Sequence, residues 1–538
     1  MRGTGALRTD FGPCSRIHGG LSRRLGLLLS LVLLPAGCGR NAETPIALEN
    51  ARAGSGDWGL VNPATRNEIE GYASPSSAAP GETVALHVST ASSWLDIDVY
   101  RLGWYGGRGA RLVARQARVP GGARARPAPR PEDGLVTCAW PVSARVVVGV
   151  DWPTGVYLAR LTASDDGKQA YVPFVIRERP DRRAPLLFPL AVSTWQAYNA
   201  WGGTSLYDFN SDGGRRALRV SFDRPYASGP GAWAGLGAGE LLTVTHGPYR
   251  GGWEYPMIRW LERRGYDVAY ATGLDLDADS ALAAGRRGVI LAGHDEYWSR
   301  GERDRLEAAR DHGTGIACFG ANTGYWQVRL EASADGSPRR VIFCSKDYTR
   351  DSLWNTAADR DLTVRFRDLH PRRPEVALLG VMTPRAESDV EADFVPRAAA
   401  RGSWVYAGTG IAEGGSEAIR GLVGYEIDRS FAGDSLYARW SPPGLSVLAR
   451  SPVRFRDGGG EASEATVYAA ASGAVVFAAG TIQWAWGLDD WGAPAARPAR
   501  ASEDARRITR NVLGALLNGR ASRAPGGSGT SPSGRSPG

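Results

Sequence analysis

The chain has 538 residues, of which 43% are hydrophobic and 22% charged, with a formal net charge of +8. That length is too great for one small core, and that balance excludes a disordered or fibrous chain, so two domains with appendages are expected. The positive excess is scattered arginine, only Lys168 and Lys346 being lysines, and no basic stripe falls on a helix, which argues against nucleic-acid binding.

The N-terminus reads SRRLGLLLSLVLLPAGC, with a twin arginine (Arg23, Arg24), an apolar run too short to span a bilayer, and small residues before Cys38. This is the pattern of a signal peptide over residues 1–38. Its ending is similar to a bacterial lipoprotein signal, with Cys38 as the lipidated mature N-terminus, and simple secretion is the alternative. The arginine pair resembles a twin-arginine export signal. No other segment is apolar enough to cross a membrane, so the protein is expected in the cell envelope, held through Cys38, or secreted. Residues 39–60 read as a linker.

Over 61–180, GETVALHVST, LDIDVYRLGW, TGVYLARLTA and YVPFVIRE alternate apolar and polar residues between Gly/Pro turns. This predicts a small antiparallel, immunoglobulin-like sandwich. PGGARARPAPRPEDG (120–134) is a long exposed loop within it. Over 185–520 the pattern changes. APLLFPLAVST is a buried strand, YPMIRWLERRGYDVAYAT a helix and strand, RRGVILAGHDEYWS a strand and turn. RGERDRLEAARDHGTGIACFGANTGYW is then a helix, strand and turn. Alternating elements with apolar strands predict an α/β fold with a doubly wound, mainly parallel sheet. Beyond about 360 the chain is strand-rich again, to a helix at SEDARRITRNVLGALLNG and a disordered tail over 521–538.

In a doubly wound sheet, ligands bind at the carboxyl ends of strands near a switch point. Three polar–aromatic stretches follow predicted strands: STWQAYNAWGGTSLYDF (193–209), GHDEYWS (293–299) and FGANTGYWQVR (319–329). The layout around GIACFGANTG matches the nucleophile elbow of class I glutamine-amidotransferase-like domains. Here, however, Cys318 lies inside the strand, away from the exposure a thiolate nucleophile needs. Cys318 and Cys344 lie on successive apolar runs, where a disulfide and two buried thiols are both open.

The stretches WQAYNAWGG, SLYDF, GHDEYW and GANTGYWQVR make residues 185–518 resemble the large (β) subunit of N,N-dimethylformamidase and its relatives, whose C-terminal part is an amidotransferase-like, flavodoxin-like fold. In that family two tyrosines and a glutamate bind one iron ion. The resemblance implies Tyr198, Tyr207 and Glu296 as ligands of a mononuclear Fe3+, with His294 and Asn322 lining the pocket. It implies hydrolysis of a small amide by metal-activated water, with His294 as proton carrier and Asn322 as donor to the oxyanion. An oligomer or a small partner subunit is implied as well. The chain departs from the family in spacing, its tyrosines being nine residues apart, and in its export signal and front sandwich.

Each residue has a plainer alternative. Tyr198 and Tyr207 suit a core or a sugar-stacking surface, Glu296 a helix N-terminus, His294 a structural hydrogen bond and Asn322 a left-handed turn. Asp295 reads as solvated and Ser299 as scaffolding. Asp223 and Arg224 read as an ion pair or a substrate contact. Trp195, Trp201, Trp298 and Trp326 read as pocket walls. The competing function is a non-catalytic cell-surface protein that binds a glycan or small ligand. Phenols of Tyr198 and Tyr207 that point apart would favour it.

Overall fold

Every residue of the strands Leu186–Leu190, Val268–Thr272, Gly288–His294 and Gly315–Ala321 is buried. Strands covered on both faces can afford no polar alternation, which is why these runs read as continuous apolar stretches. In the computed structural model, which describes residues 43–228, 236–243, 251–385 and 390–519, they lie parallel in one sheet with Val475–Ala478. The order across the sheet is Val268–Thr272, Leu186–Leu190, Gly288–His294, Gly315–Ala321, Val475–Ala478, Gly460–Ala469 and Ser446–Arg454. The last two pair antiparallel. The whole is a mixed α/β fold of several sheets, many strands and few helices.

That order positions the site. From Leu186–Leu190 the chain passes to Val268–Thr272 on one side, then returns to Gly288–His294 on the other. The direction of winding therefore reverses between Leu186–Leu190 and Gly288–His294, and their carboxyl ends form the switch point at which such sheets bind ligands. Gly293 and His294 pair with Gly320 and Ala321, so the residues after both strands emerge at that same edge.

The helices carry local signals. Ser299 caps Arg300–Asp311, its hydroxyl accepting from the Glu302 N–H, and Ser502 caps Glu503–Asn518, whose C-terminal Gly519 turns left-handed at φ 62°. No helix among the described residues is long and apolar enough to cross a membrane. The predicted signal peptide with Arg23, Arg24 and Cys38, and the tail beyond residue 520, lie outside the described residues.

Ahead of this sheet is a seven-stranded, mostly antiparallel one. GETVALHVST and LDIDVYRLGW, read as two strands, are a single strand, Thr83–Leu102. Its first half pairs with Ile69–Ser74 and Ala144–Val147, its second with Ala110–Gly122 and Gly155–Ala163. The change of partner, with register shifts along Ala110–Gly122, is what breaks the alternation that looked like a turn. Within the segment read as a linker, Pro45–Asn50 forms a helix, and Asn50 hydrogen-bonds Glu262 on the helix Tyr255–Arg263.

The two sheets share one hydrophobic core. Tyr100, Leu102, Val156, Leu158 and Tyr171 of the antiparallel sheet belong to the same buried cluster as Leu186, Phe188 and Leu190. A bidentate ion pair fastens the same junction: Arg101 meets Glu262 at 2.7 and 2.8 Å, both side chains fully buried. Cys138, Cys318 and Cys344 are all free and buried, so Cys318 and Cys344 are two thiols and not a disulfide.

Candidate functional site

The strand Leu186–Leu190 leads straight into the helix Val192–Tyr198, every residue of which is buried. Glu254 fixes this entry, accepting from the Ala191 N–H at 3.0 Å and the Trp195 indole at 2.9 Å. Tyr198 ends the helix. Thr194, one turn earlier, accepts from the backbone N–H groups of Glu296 and Tyr297 at 2.9 and 3.2 Å. The helix and the GHDEYWS turn are thereby locked together across the switch point.

The oxygens of Tyr198, Tyr207 and Glu296 meet there. The Tyr198 hydroxyl donates to Glu296 Oε2 at 2.7 Å, and the Tyr207 hydroxyl lies 2.7 Å from that of Tyr198 and 2.9 Å from each carboxylate oxygen. The phenol rings pack with centroids 4.4 Å apart. The nine-residue spacing is enough because the chain doubles back through Gly202 and Gly203, both left-handed at φ 85° and 89°, and the Leu206 N–H closes the arch onto the Ala197 carbonyl at 3.0 Å.

His294 stands beside this triad. Its Nδ1 is 2.9 Å from Glu240 Oε2, and its Nε2 is 3.4 Å from Glu296 and 3.6 Å from Glu426. Burial opposes protonation of the imidazole, but Glu240 and Glu426 outweigh it and hold the group well above its usual value. Burial likewise opposes ionisation of Glu296, yet His294, Lys346 and the Tyr198 hydroxyl hold it below the usual carboxylate range. Both phenols are pushed well up, first by burial and then by the charge of Glu296. Asn322 adopts the left-handed conformation (φ 54°), donates its N–H to Asp428 at 2.9 Å, and hydrogen-bonds Glu426 through its side chain.

The donor set suits a hard cation. It consists of oxygens alone, 2.7–2.9 Å apart, which is about the spacing of neighbouring ligands on a small ion with bonds of roughly 2.0–2.2 Å. Two buried phenols beside a carboxylate resist ionisation as they stand, and a cation among them reverses that balance. Among the described residues no group of three or more His, Cys, Asp or Glu side chains is arranged to hold a metal. A metal here would take two phenols and a single carboxylate.

Residues 96–499 match the family profile described as N,N-dimethylformamidase beta subunit-like, C-terminal. The chain belongs to that family. The match to the dimethylformamidase-like family begins inside the antiparallel sheet, earlier than residue 185, where the motifs begin. None of the curated proteins matches the chain. Among solved structures, the sulfur carrier protein SoxY from Chlorobium limicola f thiosulfatophilum is 17% identical, over 22% of this chain and 86% of that one; with a TM-score of 0.13 the likeness carries no argument.

Several expectations change. Asp295 is not solvated: it is 4% exposed, and burial pushes its carboxyl up to about 7. Asp223 pairs with Arg340 at 2.7 Å and not with Arg224. Trp195 is engaged by Glu254, Trp201 by Glu70 in a separate cluster with Tyr72 and Trp140, and Trp298 is buried under Gly324. Only Trp326 borders the site, 5.1 Å from the Lys346 ammonium. One expectation is unchanged: Cys318 is fully buried inside its strand, with its thiol pushed up to about 12, and offers no nucleophile.

Four residues of the site were not legible in sequence. Glu240 orients His294. Glu426, at the end of Ile419–Tyr425, is pushed up to about 8 by burial and then by the charge of Glu296. Asp428 holds the Asn322 turn. Lys346 sits with Nζ 3.3 Å from the centre of the Tyr207 ring, and burial lowers it to about 8. A signal for Lys346 existed: it is one of two lysines in a chain that otherwise uses arginine. An amine that can shed its proton is not interchangeable with a guanidinium.

Proposed function

We propose that this chain is an exported, iron-dependent amidohydrolase that cleaves a small amide. The observation that carries the reading is the meeting of the Tyr198, Tyr207 and Glu296 oxygens within 2.7–2.9 Å at the switch point. Phenols turned inward onto a buried carboxylate favour this reading over a non-catalytic binding module. The finer architecture belongs to the same proposal: an immunoglobulin-like sandwich ahead of a class I amidotransferase-like domain, anchored through lipidated Cys38 or secreted, acting as an oligomer or with a small subunit.

Held by Tyr198, Tyr207 and Glu296, a mononuclear Fe3+ would polarise the amide carbonyl and acidify a water molecule. The protein's own groups manage the protons. Glu240 fixes His294 Nδ1 and keeps the imidazole protonated, so its Nε2 acts first as a proton donor and takes a proton from water only once it has given up its own. Glu426, uncharged near neutral pH, carries a proton within reach of that Nε2 and can deliver it to the departing amine nitrogen. Asn322, its backbone N–H held by Asp428, would offer the second N–H of its side-chain amide to the oxygen that gains charge. Purified protein is expected to carry about one iron per chain with a visible phenolate-to-iron band, and to lose both in Tyr198→Phe and Glu296→Ala. Stable, folded wild-type protein that takes up no ferric iron overturns the reading.

A further inference from the structure

Arg224 is 1% exposed, and among the described residues no carboxylate is bonded to it. A buried guanidinium without a counter-charge is costly, and burial, helped by Arg126 and opposed by Cys138 and Tyr226, lowers it to about 9. Its donors all go to one stretch of chain. Nη1 donates to the carbonyls of Trp201 and Thr204, Nη2 to that of Asn199, each at 2.9 Å, and Nε to Gln196 Oε1 at 3.3 Å. The three carbonyls lie on the arch between the two phenols, and Gln196 is on the helix that leads into it. The far side of the arch is braced by the antiparallel sheet and by the loop between its strands Ala110–Gly122 and Ala144–Val147. Glu70 accepts from the Trp201 indole at 2.6 Å, the Gly134 carbonyl accepts from the Thr204 hydroxyl at 2.8 Å, and Val136 lies against Gly202, where a Cβ would come within 2.7 Å of it.

We propose that Arg224 is a positioning residue: its planar fork sets the arch Asn199–Thr204 from inside, against the antiparallel sheet outside, so that the Tyr198 and Tyr207 hydroxyls meet. This rests on the reading of those hydroxyls as the site, and it makes the front sheet a working part of that site. The fork is essential, because three carbonyls spread over six residues need donors fixed in a plane, which the single ammonium of a lysine cannot supply.

The test uses the full chain with Arg224→Lys, which keeps the charge, and Arg224→Met, which removes the buried charge at similar volume and so keeps the fold. Hydrogen exchange is read at the arch amides of Trp201, Gly203 and Leu206, against the strand Gly155–Ala163 as an internal reference. Both variants are expected to exchange at the arch at least about tenfold faster with the reference strand unchanged, as loss of charge-assisted bonds implies. Affinity for added ferric ion should fall by about tenfold or more in both, with loss of the phenolate band. Arch amides that exchange at the wild-type rate in both variants overturn the proposal, whatever the iron result. Wild-type protein that binds no iron defeats the metal reading, while the exchange comparison still decides the role of Arg224.

Discussion

Glu70→Gln should change how stability depends on pH. Glu70 lies in the antiparallel sheet, is 7% exposed, and accepts from the Trp201 indole, which belongs to the arch between the two tyrosines. Burial raises its carboxyl from an ordinary 4.5 to about 7, against the opposing effects of that indole and of Arg126. A carboxyl whose folded value lies above its unfolded one binds more protons in the native state between the two. Stability is then lost as pH rises from about 4.5 to about 7 and stays level above. At about 1.4 kcal/mol per unit, the full loss is roughly 3 kcal/mol. Glutamine keeps an oxygen for the Trp201 indole and has no proton to lose. The two proteins should therefore be near equal at pH 4.5, and the variant should be the more stable by up to about 3 kcal/mol at pH 8. Denaturant unfolding of both across that range reads this difference, and the other titrating groups cancel in it. A difference that does not change with pH refutes the reasoning, since Glu70 would then titrate alike in folded and unfolded chains.

Arg101→Met leaves Glu262 charged and unpaired in the core, so it should cost about 3–5 kcal/mol, with Arg101→Met/Glu262→Leu recovering most of it; additive costs in denaturant unfolding would contradict this. Gly293→Ala places a Cβ 2.6 Å from that of Trp253 at φ 73°, beside His294. A loss of about 1–3 kcal/mol is expected in thermal melts, and unchanged stability would show that the strand end can yield. Burial holds all three described thiols at about 11 or 12. Native protein should therefore leave Cys138, Cys318 and Cys344 unmodified by iodoacetamide, as peptide mapping would show, and Cys318→Ala should hydrolyse its amide at the wild-type rate. Tyr207→Phe keeps the ring against Tyr198 and Lys346 but removes one oxygen, so it should lose ferric iron in metal analysis while unfolding within about 2 kcal/mol of wild type; retained iron would mean that Tyr207 is not a ligand.

The sequence by itself determined the elements that carry the site. Buried parallel strands leave continuous apolar runs, and a Ser or Gly at a helix end acts within one turn, so Leu186–Leu190, Gly288–His294, Gly315–Ala321 and their helices were legible from neighbours alone. The three stretches that hold Tyr198 and Tyr207, His294 and Glu296, and Asn322 were legible too, because each adjoins the end of a strand, and the family resemblance is what singled out those residues within them. Only the tertiary structure decided what surrounds them. Glu240 and Glu426 meet His294 from distant segments, and Asp295 is buried by neighbours that no local pattern reveals. The strand break between Thr90 and Leu95 was misread because a change of partner looks like a turn along the chain. Likewise Tyr198 and Tyr207 are nine residues apart in local sequence, but the shape of the arch between them is held by Arg224 from within, by Glu70 from the sheet in front, and by Gly134 and Val136 from a loop of that sheet. Local propensity acts through adjacent residues, whereas the convergence of oxygens on one point depends on which distant surfaces pack against that loop, and packing is settled only when both sheets share a core.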